Sequence, residues 1–253
     1  MDQKKYIICT TPRSGSNLLC GLLSSSNKMG NPSEYLNPWG SFIPLAKNNH
    51  LLDSQGRISM EAYLKYFIEK KSTSNGCFGL KLLFGQLERF GEFQAVKDFL
   101  QQSRYIWLVR QDTIAQAVSL YIATETDAWK SFTEEKKSRE KLEYNEKKIY
   151  DYIEKIIRHN LEWKKFFLVN QIEYLQVNYE DLIVTPQTIC QKICNFCGIE
   201  TDHQFLIDKV QFKKQGDSLN EEFASIFREN HIFNHKNGKS NNHINIKGIK
   251  VFD

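Results

Sequence analysis

Short apolar runs and longer stretches of helical periodicity alternate along the whole chain. Tyr6–Cys9 is a compact run of aromatic and β-branched residues, the pattern of a strand entering a core. Leu18, Leu19, Leu22 and Leu23 then recur at helical spacing. Met60–Lys71 reads as an amphipathic helix with Tyr63, Phe67 and Ile68 on one side, and Cys77–Phe84 as a second buried strand. A helix over Glu92–Gln101 and a strand over Arg104–Val109 follow, then a helix through Ala115, Ala117, Val118 and Ile122. A long helix carries Ile149, Tyr152, Ile153, Ile156, Ile157 and Trp163 inward. Gln171–Val177 gives a fourth strand, and Thr185 with Pro186 marks a further helix start, Thr as N-cap and Pro in the first turn. The alternation predicts one α/β domain over residues 1–253, in three layers. A central, mostly parallel sheet runs through Ile8, Leu80, Ile106 and Leu175 with right-handed crossovers. Ligands of such sheets bind at the carboxyl ends of the strands.

Three polar stretches interrupt the pattern. Ser24–Pro38, rich in Ser, Asn, Gly and Pro, predicts a long loop beyond the first strand, and it contains Glu34. Thr124–Tyr150 is dense in charge and is expected to be an exposed loop running into a solvated helix, with Trp129 as an aromatic face that suits a sugar ring. From about Asn234 the chain is rich in Asn, Lys, His and Gly, a flexible tail by composition.

The turn between the first strand and helix is Thr10, Thr11, Pro12, Arg13, Ser14, Gly15, Ser16, with Asn17 opening the helix. Strand, turn and helix start in that order point backbone N–H groups and a helix dipole at one spot, an anion site best suited to phosphate. Against the nucleotide loop GxxxxGK[ST], Gly15 stands for the second glycine and Thr10 replaces the first. Ser16 replaces the lysine and Asn17 the magnesium-binding hydroxyl residue. Arg13 supplies instead a planar fork for a phosphate-like group. Lys81, inside the apolar second strand, must snorkel, pair or serve an anion, because an unpaired ammonium is costly to bury. Arg110 at the end of the third strand and Ser119 on the next helix fit a second phosphate site.

Composition changes this picture little. A net charge of +4 is too mild to argue for nucleic acid and suits a multiply anionic small molecule. No run approaches the length of a membrane span, and the opening MDQKKYIICT enters a strand with no signal-peptide apolar region, which predicts a cytoplasmic protein. Cys190, Cys194 and Cys197 share a helix face and read as a core stripe rather than a metal site, while Cys9 and Cys77 read as buried thiols; no metal is expected. His231 and His235 are expected to be solvated.

PRSGSN after a first strand resembles the 5′-phosphosulfate loop of sulfotransferases. Its arginine, and the later GNPSEYLNP, resemble the bacterial branch that includes trehalose 2-sulfotransferase. RQDTIAQAVSLY, the YEDL of Tyr179–Leu182 and KKQGDSLNEEF (Lys213–Phe223) continue the resemblance over most of the chain. It implies the P-loop-like sulfotransferase fold and 3′-phosphoadenosine 5′-phosphosulfate as co-substrate, without metal. The acceptor is then a small hydroxyl compound, a sugar or glycolipid, and a homodimer is possible. Pro12, Arg13, Ser14, Gly15, Ser16 and Asn17 become the 5′-phosphosulfate loop, Arg110 and Ser119 the 3′-phosphate site, and Glu34 the general base. Arg13 and Lys81 neutralise the transferring group. Leu83 stands where cytosolic relatives carry a histidine base, which leaves that role to Glu34. The open alternatives are a divergent P-loop kinase or nucleotide hydrolase, and a catalytically silent nucleotide-binding module.

Overall fold

The computed structural model describes residues 4–127, 129, 141–210 and 218–231. Among them four strands, β1 (Lys4–Thr10), β2 (Cys77–Leu83), β3 (Arg104–Val109) and β4 (Tyr174–Asn178), form one sheet in the order β2-β1-β3-β4 with every pairing parallel. Ile8 stands at its centre, opposite Lys81 on one side and Ile106 on the other, and Ile106 in turn faces Leu175. Strands covered on both faces need apolar residues on both, which is why the middles of β1, β2 and β3 read as apolar runs, broken in β2 by Lys81, while the less buried β4 carries Gln176 and Asn178.

Side-chain alternation divides the core in two. Ile7, Cys9, Leu80, Leu82, Tyr105 and Trp107 face α3 (Met60–Lys71), α5 (Gln94–Gln101) and α7 (Glu146–Val169). Tyr6, Ile8, Ile106, Leu108 and Val177 face α1 (Ser16–Ser25) and α9 (Pro186–Phe196). A third cluster joins α6 (Thr113–Thr126), α7 and α10 (Ser218–His231). No helix among the described residues is long and apolar enough to cross a membrane.

Three helices lie outside the sequence expectation: α2 (Phe42–Asn48), α4 (Phe84–Phe90) and α8 (Tyr179–Val184). The second strand stops at Leu83 because Gln86 Oε1 accepts the Leu83 N–H at 3.1 Å, so Phe84 opens α4 instead of extending β2. Ile157 does not face inward with Ile149, Ile156 and Trp163; it is 55% exposed. Thr185 is at the N-cap of α9, yet its hydroxyl donates backward to Asp181 O at 3.1 Å and makes no capping bond to that helix. His231 is exposed but stacks on Phe227 at 4.2 Å instead of standing free in solvent. His235, the tail and Lys213–Asp217 fall outside the described residues; Ser218–Phe223 begins α10.

All six cysteines are buried free thiols. Burial pushes the Cys20 and Cys77 thiols up to about 12 and Cys194 to about 11, so they stay neutral packing groups.

Trp163 ties the core to the strand-end turn: its Nε1–H donates to Thr10 O at 3.0 Å from a fully buried ring. Trp163→Phe keeps much of the ring packing and orphans that carbonyl. We expect it to lower unfolding free energy by about 1–3 kcal/mol in urea titration; an unchanged midpoint would show the bond to be dispensable.

Candidate active site

The turn after β1 is held from three directions. Thr10 Oγ1 donates to Leu108 O at 3.0 Å and lies 2.5 Å from Ser14 Oγ, so the loop folds back on the strand that launches it. Gln116 on α6 donates through Nε2 to Thr11 Oγ1 at 2.8 Å and Pro12 O at 2.7 Å. Arg110 Nη1 reaches Arg13 O at 3.4 Å. These anchors hold Arg13 at φ 63° and Gly15 at φ 87°. A left-handed arginine costs of order 1 kcal/mol, tolerated only where surrounding bonds over-determine it. Gly15 has a second requirement, since a Cβ there would lie 2.2 Å from the Tyr179 ring. Gly15 also caps α1, and among the described residues that helix has no side-chain cap. The result is a backbone cradle at a helix N-terminus, suited to phosphate.

Beyond the cradle the site divides into a carboxylate side and a phosphate side. On the first, Lys81 is 5% exposed and its ammonium lies 2.6 Å from Glu34 Oε1 and 2.6 Å from Asn17 Oδ1. Of the options open to a lysine in this strand, it pairs. Glu34 Oε2 accepts from Gln86 Nε2 at 2.9 Å and Asn37 Nδ2 at 3.0 Å, so three donors orient one carboxylate. Its segment is pinned as well: Ser33 bridges to Leu80, Lys81 N donates to Ser33 O at 3.0 Å, and Ser41 Oγ donates to Glu34 O at 2.7 Å.

On the phosphate side, Arg13 Nε donates to Ser119 Oγ at 3.0 Å and Arg13 Nη1 to Trp129 O at 3.1 Å. The sequence reading set Arg13 over one phosphate and Arg110 with Ser119 over another; here the Arg13 side chain reaches across, and the three form one cluster. The Arg110 guanidinium lies 5.0 Å from the centre of the Tyr179 ring. Glu180 accepts the amides of Gln111 (3.1 Å) and Asp112 (3.2 Å), and Asp112 caps α6 and pairs with Arg228 of α10 at 2.8 Å. Arg110 Nε is buried with no acceptor among the described residues, so this guanidinium retains donor capacity for an anion.

Sequence reasoning missed Gln86, Asn37, Gln116, Tyr179 and Glu180 as site residues. Gln86 sits in a helix the sequence did not announce, and Asn37 acts locally, three residues after Glu34. Gln116, Tyr179 and Glu180 act through contacts distant in sequence, although each lies in a stretch quoted above.

The sequence profile described as Stf0 sulphotransferase matches residues 5–230. The chain belongs to that family. The Stf0 sulphotransferase assignment makes it an enzyme of sulfuryl transfer, in a family that generally uses 3′-phosphoadenosine 5′-phosphosulfate. Among solved structures, the sulfotransferase from Alicyclobacillus acidocaldarius is similar at 16% identity and a TM-score of 0.52, covering 90% of this chain and 92% of that one. At that identity the likeness is one of fold, and it agrees with the parallel sheet described above. A sulfotransferase domain from the Synechococcus PCC 7002 olefin synthase is also similar, at 17% identity and a TM-score of 0.42, covering 89% of this chain and 94% of that one. No curated protein matches the chain.

The Lys81–Glu34 pair sets a test of its own. Lys81→Met and Glu34→Gln each leave a charged partner without its counter-charge, and each should destabilise the protein by about 2–4 kcal/mol in chemical denaturation. The double variant should cost less than the sum of the two. Strict additivity would mean that the pair is not energetically coupled.

Proposed function

We propose that this sulfotransferase moves a sulfuryl group from 3′-phosphoadenosine 5′-phosphosulfate to a hydroxyl of a carbohydrate or glycolipid, with Glu34 as general base. The observation that carries the reading is the Lys81 ammonium, bonded at once to Asn17 at the end of the phosphate cradle and to Glu34. One buried cation thereby joins the place where a leaving phosphate sits to the group that takes the acceptor proton.

In the reaction the acceptor oxygen forms a bond to sulfur as the bond from sulfur to the bridging oxygen breaks. The acceptor proton passes to Glu34, and the electron pair of the broken bond stays on the 5′-phosphate of the product nucleotide. Amides from Ser14 to Asn17, the helix dipole and Lys81 oppose the charge that grows there. Pro12 and Ser16 shape the cradle. Arg110, with its spare buried N–H, and Ser119 hold the 3′-phosphate, while Arg13 links that pair to the loop. Two exposed indoles support a sugar acceptor. Trp39, 73% exposed, follows the Glu34 segment and lies against Gly85 at the start of α4, and Trp129 is 43% exposed beside Arg13. An aromatic face fits the apolar side of a pyranose ring.

Calorimetric titration with 3′-phosphoadenosine 5′-phosphate is expected to show binding that Arg110→Ala weakens by about 10- to 100-fold. Adenosine 5′-phosphosulfate, which lacks the 3′-phosphate, should lose less affinity, only what the Arg110 anchor on Arg13 O contributes to the loop. Transfer of labelled sulfate to a sugar panel should fall about 10²- to 10⁴-fold in kcat with Glu34→Gln while nucleotide binding persists. Full turnover in Glu34→Gln would place the base elsewhere, and binding of ATP with magnesium alone would overturn the donor assignment.

A further inference from the structure

Three bulky apolar side chains project into solvent beside the carboxylate side of the site. Trp39 is 73% exposed, Phe93 50% and Ile43 44%. They belong to one surface, built by α2 and α4. The Trp39 indole lies over Gly85 in the first turn of α4, where a Cβ would stand 3.4 Å from the ring. Beneath it, Phe42 of α2 packs on Phe90 of α4 with ring centres 4.8 Å apart, and Phe90 packs on Phe93 at 6.1 Å. Ile43 follows Phe42 and is exposed where Phe42 is buried. Buried aromatic rings thus fix the elements from which the exposed side chains project.

Charge on this surface is net positive. Lys47 stands one turn beyond Ile43 on the same face of α2, and Arg89 one turn beyond Gly85 on α4. Both are exposed, and neither has an acidic partner among the described residues. Of the two acids close by, Glu92 is paired with Lys97 at 2.8 Å, which leaves Glu88 against two cations.

The spacing of the apolar tips indicates what covers them. They stand singly, on three different segments, with exposed Gly40, Pro44, Lys47 and Arg89 among them. A protein partner needs a continuous, well-packed apolar centre. The headgroup layer of a bilayer is fluid and takes separate indole, phenyl and aliphatic tips, while its phosphates meet the cations beside them. We infer that the α2–α4 face docks on the surface of an anionic phospholipid membrane, with Trp39, Ile43 and Phe93 in the headgroup layer and Lys47 and Arg89 on lipid phosphates. One consequence rests on the proposed function, in which Glu34 is the base. Asn37, two residues before Trp39, and Gln86, next to Gly85, both hold the Glu34 carboxylate, so docking brings the base to the bilayer surface. The acceptor then narrows to a glycolipid, whose sugar stands at headgroup level where Trp39 meets it.

Docking is read without any transfer reaction, so its failure leaves the sulfotransferase reading standing, and a failed transfer assay leaves the docking result intact. The full chain should sediment with vesicles of equal parts phosphatidylglycerol and phosphatidylcholine, and at least about tenfold less with phosphatidylcholine alone. Lys47→Gln and Arg89→Gln should each lower the partition coefficient about fivefold, and added salt should weaken binding of the wild type. The double variant Ile43→Ser/Phe93→Ser should lower it at least about tenfold. Its circular dichroism spectrum and its binding of 3′-phosphoadenosine 5′-phosphate should stay unchanged, which shows it to be folded. Brominated lipid should quench tryptophan emission in the wild type and less in Trp39→Phe. A wild type that ignores anionic vesicles would leave the face to a protein partner and overturn the assignment. Vesicle binding that the Ile43→Ser/Phe93→Ser variant retains in full would overturn it as well.

Discussion

An ammonium group inside a parallel sheet must be neutralised, and much of this site follows from how Lys81 meets that demand. Leaving it unpaired would cost several kcal/mol, a large part of the margin by which a domain is stable. β2 is the outermost strand of the described sheet, so Lys81 also exposes a backbone N–H that wants a partner. The segment before α2 answers both needs. Ser33 O accepts the Lys81 amide and Glu34 accepts the ammonium. One residue thus fixes a long polar loop by main chain and side chain together. Gln86 and Asn37 then take the remaining carboxylate oxygen. The loop is irregular in secondary structure and rigid where it carries the carboxylate.

The phosphate cradle is fixed by a comparable economy. Tyr179 lies against Gly15 on one side and beneath Arg110 on the other, so a single ring sets the distance between the cradle and the arginine of the second subsite. Glu180, the next residue, holds the two amides that follow Arg110. Both residues begin α8 at the end of β4, which makes the outermost strand on that side part of the site. In the proposed donor site, a rigid spacing between the two subsites favours a ligand with two phosphate-like groups at that spacing. This is a stricter filter than either subsite alone.

The sheet was legible because the strands buried on both faces, β1, β2 and β3, leave a strong mark, a largely apolar run with no alternation, and each of the four centres expected lies in a strand. The cradle was legible because strand, glycine turn and helix start are contiguous in sequence. Side-chain direction was not. Nothing local says that Arg13 reaches Ser119, 106 residues away, or that Lys81 turns to Asn17 and Glu34. The short helices α2, α4 and α8, of six or seven residues, were invisible because tertiary contacts rather than propensity hold such lengths. Ile157 misled for a related reason: periodicity identifies an apolar residue, and α7 has two apolar faces, one for the core and one outside it.

The charge balance of the proposed transfer follows from the same geometry. Before reaction, the Lys81 cation is matched by the Glu34 carboxylate at 2.6 Å. As Glu34 takes the acceptor proton it becomes neutral, and Lys81 loses its counter-charge. At that moment negative charge gathers on the oxygen leaving sulfur, beside the cradle that Asn17 closes. The ammonium, already bonded to Asn17, needs only to redirect its attraction from a carboxylate that has been neutralised to a phosphate that has been charged. The buried cation therefore keeps a partner throughout, and its interaction with the leaving group strengthens as the bond to sulfur breaks. An interaction that grows along the reaction coordinate lowers the barrier, whereas one equally strong at the start would not. Pairing Lys81 with the base, and not with a permanent anion, is what makes that transfer of attraction possible.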